Sequence, residues 1–133
     1  MIICEIGMNH MGDEAYADQY LEALEVAHPE GLTFQVREKE YYASKKPEES
    51  TLLSDDYYRS TAERTCKAGI KFGVGLCDVE KAVFFESIGT DFYKILSKDI
   101  GNRALVTAVL ATGKPVYVST GMSSEEELAS FLA

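Results

Sequence analysis

Apolar and polar positions alternate along this chain in five repeated blocks. Short runs rich in β-branched and aromatic residues end in polar or small side chains. Each is followed by a stretch whose apolar positions recur at helical spacing. The runs predict strands near residues 2–7, 32–37, 71–77, 92–97 and 115–120. A first helix is expected from Asp13, an N-cap residue after Gly12, with Ala17, Leu21 and Leu24 on its buried side, ending before Pro29. Further helices are expected from Asp55 to Lys67, from Asp78 to Ile88 and from Asn102 to Leu110. A last one starts at Ser123-Ser124-Glu125-Glu126, a start of the capping-box kind.

Residues 38–54 are polar, contain Pro47 and read as a long loop with a helical turn. A loop of that length is either functional or a solvated excursion. Gly73 and Gly75 interrupt the third strand, and glycine in a strand marks close approach of a ligand or of another part of the chain.

The pattern is βα five times over in one domain spanning 1–133, with no hairpin signal. It predicts a parallel sheet with right-handed crossovers. Two α/β architectures fit: an incomplete TIM-barrel-like (βα)8 fold, or an open flavodoxin-like sheet. Strand order separates them, 1-2-3-4-5 for the first and 2-1-3-4-5 for the second.

Composition narrows the partners. The 22 acidic residues outnumber the 13 basic ones, for a net charge of −9 with no basic block. That field opposes nucleic acid but leaves room for a small anion held by local lysines. No run approaches the roughly 18 apolar residues of a membrane span. The N-terminus lacks the basic start and apolar core of a secretory signal. Cys4, Cys66 and Cys77 have no metal-binding spacing, and reduced thiols in a cytoplasmic protein are the expectation.

Candidate chemistry gathers where the strands end, as expected of parallel α/β folds. Glu5 lies inside an apolar strand, where a carboxylate needs either a lysine partner or a hydrated cavity. Asn9 and His10 follow in the first loop; His10 is either a loop hydrogen-bonding residue or a ligand. Gln35 and Arg37 end the second strand, and the arginine could equally pair with a surplus acid. Lys94, Ser97 and Asp99 end the fourth, and Ser119, Thr120 and Gly121 end the fifth. A lysine, hydroxyls and free backbone N–H groups could cradle a phosphate or carboxylate, or the hydroxyls could simply cap the next helix.

Three motifs together resemble the sialic acid synthase (N-acetylneuraminate synthase) family. Glu5-Ile6-Gly7-Met8-Asn9-His10-Met11-Gly12 is similar to its E-I-G-x-N-H-x-G signature. Tyr93-Lys94-Ile95 followed by Ser97 is similar to its Y-K-I-x-S segment. Gly113-Lys114-Pro115 with Ser119-Thr120-Gly121-Met122 is similar to its G-K-P…S-T-G-M segment. The resemblance spans the whole chain. It implies a (βα)8 barrel, carbohydrate (sialic acid) biosynthesis and a transferase that condenses phosphoenolpyruvate with an N-acylated amino sugar, releasing phosphate. It further implies that Glu5 faces the sugar and that Lys94, Ser97 and Ser119 hold phosphoenolpyruvate. Gln35 matches a site glutamine, Asn9 and His10 fall in the signature loop, and Asp99 stands where the family has a candidate acid/base glutamate. A divalent metal, Mn2+ or Mg2+, is implied as well, with its histidine ligands on later strands.

The sequence also departs from that pattern. Thr33 stands where the family has the lysine of K-x-Q, and Val74-Gly75-Leu76-Cys77 replaces S-T-P-F at the third strand's end. A non-catalytic sugar- or anion-binding relative is therefore the alternative. Lys98 is a new cation beside Ser97. Eight units need about 200–250 residues, so 133 predict either part of a longer product or assembly with copies of itself or with a partner half.

Overall fold

The computed structural model describes residues 2–121 and 123–132. Met122, the last residue of the third motif, lies outside them. The strands are β1 (Ile3–Gly7), β2 (Gly31–Val36), β3 (Lys71–Leu76), β4 (Phe92–Ile95) and β5 (Val116–Val118). The helices are α1 (Glu14–Ala27), α2 (Lys39–Ala43), α3 (Asp55–Ala68), α4 (Ala82–Ser87), α5 (Arg103–Leu110) and α6 (Glu125–Leu132). Every strand pair is parallel, in the order β1-β2-β3-β4-β5. That is the sequential order of a barrel wall, so the flavodoxin-like alternative does not hold. The sheet is open, with β1 and β5 as its edges.

Local chemistry starts the helices as the sequence indicates. The Asp13 carboxylate accepts the Tyr16 N–H at 3.1 Å, Ser54 Oγ accepts the Tyr57 N–H at 3.1 Å, and Asn102 caps α5 through the Leu105 N–H. At α6 the reciprocal box forms between Ser124 and Glu127. The stretch expected to be one helix from Asp78 divides into a 3-10 turn at Val79–Lys81 and α4. The two late strands are shorter than the apolar pattern suggests. β4 stops at Ile95 because the chain turns into a 3-10 helix at Ser97–Asp99, and β5 keeps only three residues.

Alternation along the strands sorts side chains onto two unlike faces. Ile6, Leu32, Phe34, Val36, Phe72, Val74, Leu76, Tyr93 and Ile95 pack with Leu21, Tyr58, Phe85, Leu105 and Val109 of the helices into the hydrophobic core. The other face carries Glu5, Thr33, Gly73, Phe92, Lys94 and Tyr117, related by register: Glu5 opposite Thr33, Thr33 opposite Gly73, Gly73 opposite Phe92, Lys94 opposite Tyr117. The helices pack on one face only, as around a barrel wall, where a doubly wound sheet carries helices on both.

Gly73 is the close approach that its place in a strand suggests, but the neighbour is internal. A Cβ there would lie 2.3 Å from the Phe92 ring, which reaches on across β3 toward Gly31. The end of the 38–54 segment, residues 50–54, packs against the β1–α1 loop and the start of α1, while most of residues 39–49 are exposed. Leu53 and Thr51 are buried, Ser54 Oγ donates to Glu14 at 2.6 Å, and a Cβ on Gly12 (φ 80°) would meet the Ser50 carbonyl.

Candidate functional site

The inward faces of β1, β2, β4 and β5 line a small open cavity of about 170 Å³ with Ile3, Glu5, Thr33, Phe92, Lys94 and Tyr117. Period-two alternation puts Lys94 on this face two residues beyond Phe92, and Glu5 two residues beyond Ile3. Phe92 and Tyr117 meet edge to face, with ring centroids 5.4 Å apart, and form the floor. Above that floor the Lys94 ammonium donates directly to the Glu5 carboxylate. Strands are about 4.8 Å apart, so β1 and β4 would stand roughly 14 Å from each other in a flat sheet. Side chains perpendicular to a flat sheet do not bridge that gap; the curl of a barrel wall closes it.

The β1 register shifts between Glu5 and Gly7, an irregularity of the kind found beside functional sites. Gln35 sits half-buried two residues beyond Thr33 on β2, opposite Gly75. Ser97 and Ser119 lie on the same end of the sheet, just past β4 and β5, and the Ser119 N–H extends the ladder by donating to Ile95 at 2.9 Å. Ser97 faces a separate cleft of about 350 Å³ shared with Gly101, Ser123 and Glu127.

Three candidates are placed elsewhere. Asn9 is exposed in the β1–α1 loop, its N–H on the Ile6 carbonyl. His10 is buried on the helix side, its ring 5.8 Å from that of Phe34. Its Nδ1 accepts the Gly12 N–H at 3.0 Å, while Nε2 is buried without a partner of normal geometry. Burial holds the imidazole pKa below its usual value, against a smaller opposite pull from the Gly7 carbonyl.

Asp99 is also buried. One carboxylate oxygen takes the Lys98 ammonium at 2.8 Å and the other has no partner. Lys98 in turn bonds Glu38 at 2.6 Å, and Glu38 accepts from Arg37 at 2.9 Å, whose guanidinium lies 4.0 Å over the Tyr41 ring. Burial works against the Glu38 charge, but the Lys98 and Arg37 hydrogen bonds outweigh it and lower the pKa to about 2. Cys77, buried and next to the Asp99 charge, is pushed up to about 12 and stays a thiol. The new cation Lys98 thus ties residue 38 to the end of β4 instead of adding charge to the cavity.

This strap and the Phe92–Tyr117 floor are what sequence reasoning missed. The floor had a signal, since Phe92 shares the parity of Lys94 and Tyr117 that of Ser119. The strap joins residues 60 apart and had none. A larger cleft, about 590 Å³, lies on the opposite, helix side among Val36, Tyr42, Leu53, Tyr58 and Phe85, and of the candidate residues it holds only Arg37.

Among the described residues no group of three His, Cys, Asp or Glu side chains is placed to hold a metal ion. Glu5 supplies one oxygen donor already facing a lysine. The residues present therefore do not make the metal centre that the resemblance implies, and no step is assigned to an ion. No helix among the described residues is long and apolar enough to cross a membrane.

Residues 18–133 match the sequence profile of the NeuB family. An uncharacterized protein of Methanocaldococcus jannaschii is 31% identical over 132 residues, covering 96% of this chain and 39% of that protein. The human N-acetylneuraminate-9-phosphate synthase is 26% identical over 145 residues, covering 96% of this chain and 40% of the relative. The N,N'-diacetyllegionaminic acid synthase of Legionella pneumophila is 27% identical over 146 residues, covering 96% and 41%. Among solved structures, the N-acetylneuraminic acid synthetase of Leptospira borgpetersenii, in complex with citrate, superposes with a TM-score of 0.85 at 26% identity, over 98% of this chain and 47% of that one. A spore coat polysaccharide biosynthesis protein of Bacillus subtilis shares the fold with a TM-score of 0.81 at 21% identity, over 98% and 38%. The chain spans about two fifths of the length of the curated relatives it matches.

Proposed function

The chain belongs to the NeuB family, and from that premise we propose that it forms the first five units of a sialic acid synthase-like barrel. The reaction is condensation of phosphoenolpyruvate with an N-acylated amino sugar. C3 of phosphoenolpyruvate bonds to the sugar aldehyde carbon, water adds at C2, and phosphate leaves by C–O cleavage. The observation that carries this reading is the meeting of Lys94 and Glu5 inside the curved sheet, each two residues further along its strand than the Ile3 and Phe92 that line the cavity beneath them. Lys94 offers the positive charge for the anion. Ser119 offers a hydroxyl on the rim and Ser97 one from the neighbouring cleft, Gln35 orients the substrate, and Glu5 faces the sugar. Asp99 and His10 are buried outside the cavity and touch neither substrate in this reading. Activity requires further strands, because the concave face is open beyond β1 and β5.

A non-catalytic anion- or sugar-binding role is the second reading. It is favoured by Thr33, whose buried hydroxyl stands without a partner where a lysine would bring charge. The test is phosphate release from phosphoenolpyruvate with N-acetylmannosamine and Mn2+, measured on the chain and on the chain extended by the remaining units of a full-length relative. Release abolished by Lys94→Ala is the expected result. No release from a folded, completed barrel sinks catalysis in favour of binding.

A further inference from the structure

Lys94 is the only cation lining the concave cavity among the described residues, and its ammonium is already committed to Glu5. We propose that Glu5 is an internal counter-ion: it occupies the anion seat of Lys94 in the free protein, and an incoming phosphate or carboxylate group must displace it. This rests on the reading of Lys94 as the anion-binding residue and adds how the seat is filled before the ligand arrives.

Two features allow the exchange. The pair is reachable by solvent, with the Lys94 side chain 25% and the Glu5 side chain 39% exposed, so an anion can approach the ammonium from the open side. Glu5 is also held from one side only. Thr33, directly opposite on β2, has a hydroxyl that bonds neither Glu5 nor any other group. Two carboxylates, or a carboxylate and a phosphate, crowded on one lysine repel each other, so Glu5 swings away as the ligand's anionic group binds. Ligand binding then frees the Glu5 carboxylate at the moment a sugar would enter beside it. Glu5 thus sets anion affinity as well as serving the reaction.

Calorimetric titration of the chain with phosphoenolpyruvate, and separately with inorganic phosphate, tests this. Glu5→Gln keeps the shape and removes the competing charge, so phosphoenolpyruvate binds roughly threefold to fivefold tighter, the size of a partly exposed ion pair. Glu5→Ala moves affinity the same way. Glu38→Gln, which removes an equal charge from the rim away from Lys94, changes affinity less than about twofold. Lys94→Met abolishes binding in both the wild-type and Glu5→Gln backgrounds. Circular dichroism confirms that each variant is folded. Affinity unchanged or weakened by Glu5→Gln, with Lys94→Met still abolishing it, overturns the counter-ion role and leaves the anion seat standing. An equal gain from Glu38→Gln also overturns it, since the effect is then one of overall charge. Binding that survives Lys94→Met, or no saturable binding to either the chain or Glu5→Gln, overturns the seat itself.

Discussion

The ring of Phe92 on β4 occupies the space that any side chain at Gly73 on β3 would need, 2.3 Å from where a Cβ would stand. This contact closes the floor of the concave cavity and lets the sheet curl over it, since a larger residue at 73 would prop the two strands' inner faces apart. The same curl brings Lys94 and Glu5 together across two intervening strands.

Gly73→Ala should therefore destabilise the fold by about 1–3 kcal/mol through overpacking. Phe92→Ala should cost about 3–5 kcal/mol through the cavity it leaves. In the Phe92→Ala background the cost of Gly73→Ala should largely vanish, because the clash has lost its partner. Urea unfolding of the four variants of the cycle measures the coupling. Independent, additive costs would show that the ring does not depend on the glycine.

Glu38 gives a pH dependence with a defined sign. Its pKa falls from the usual 4.5 to about 2 in the folded chain. A depressed carboxylate pKa contributes stability that is fully present above the unfolded value and lost as pH falls through the folded one. The thermal midpoint should drop between about pH 4.5 and pH 2, and Glu38→Gln should flatten its share of that drop while lowering the midpoint near neutral pH. Melting curves from pH 2 to pH 7 decide it. An unchanged profile in the variant would mean that the Lys98–Glu38–Arg37 strap contributes nothing.

The two departures from the family pattern can be reversed separately. A Cβ at Gly75 meets nothing nearer than the Phe34 carbonyl at 3.5 Å, an ordinary contact, so Gly75→Ser should fold normally and return a hydroxyl to the end of β3. Thr33→Lys places a second cation beside Lys94 and should tighten phosphoenolpyruvate binding about tenfold to a hundredfold, the worth of a charged contact. Titration of both variants checks this. No gain from Thr33→Lys would argue that the anion lies elsewhere on the rim.

Gly12 fastens the 38–54 excursion to the β1–α1 loop. Its φ of 80°, together with the Ser50 carbonyl oxygen 2.2 Å from where a Cβ would stand, leaves no room for a side chain. Gly12→Ala should cost about 1–3 kcal/mol in backbone strain alone and release the excursion. Limited proteolysis should then cut between Glu38 and Ser54 faster than in the wild type, whereas an unchanged cutting rate would show that Leu53 and Thr51 hold the segment by themselves.

The sequence by itself determined the order of the main strands and helices, their parallel arrangement and the polar residues that end each strand. These are local matters: apolar period, capping chemistry at Asp13, Ser54 and Asn102, and the polar residues that end each strand. The three motifs added the family, because they carry side chains at fixed places along the chain. Only the tertiary structure decided which of those side chains meet. Glu5 and Lys94 are 89 residues apart and touch because a one-sided core curls the sheet. Asp99 and Lys98, neighbours of Ser97 in the sequence, turn away because β4 breaks into a 3-10 turn after Ile95 and Glu38 waits there to pair with Lys98. His10 goes to the helix side because the β1–α1 loop folds it onto Phe34. Spacing along a chain records the alternation of a strand. It does not record the curvature of a sheet, and that curvature sets which charges share a cavity.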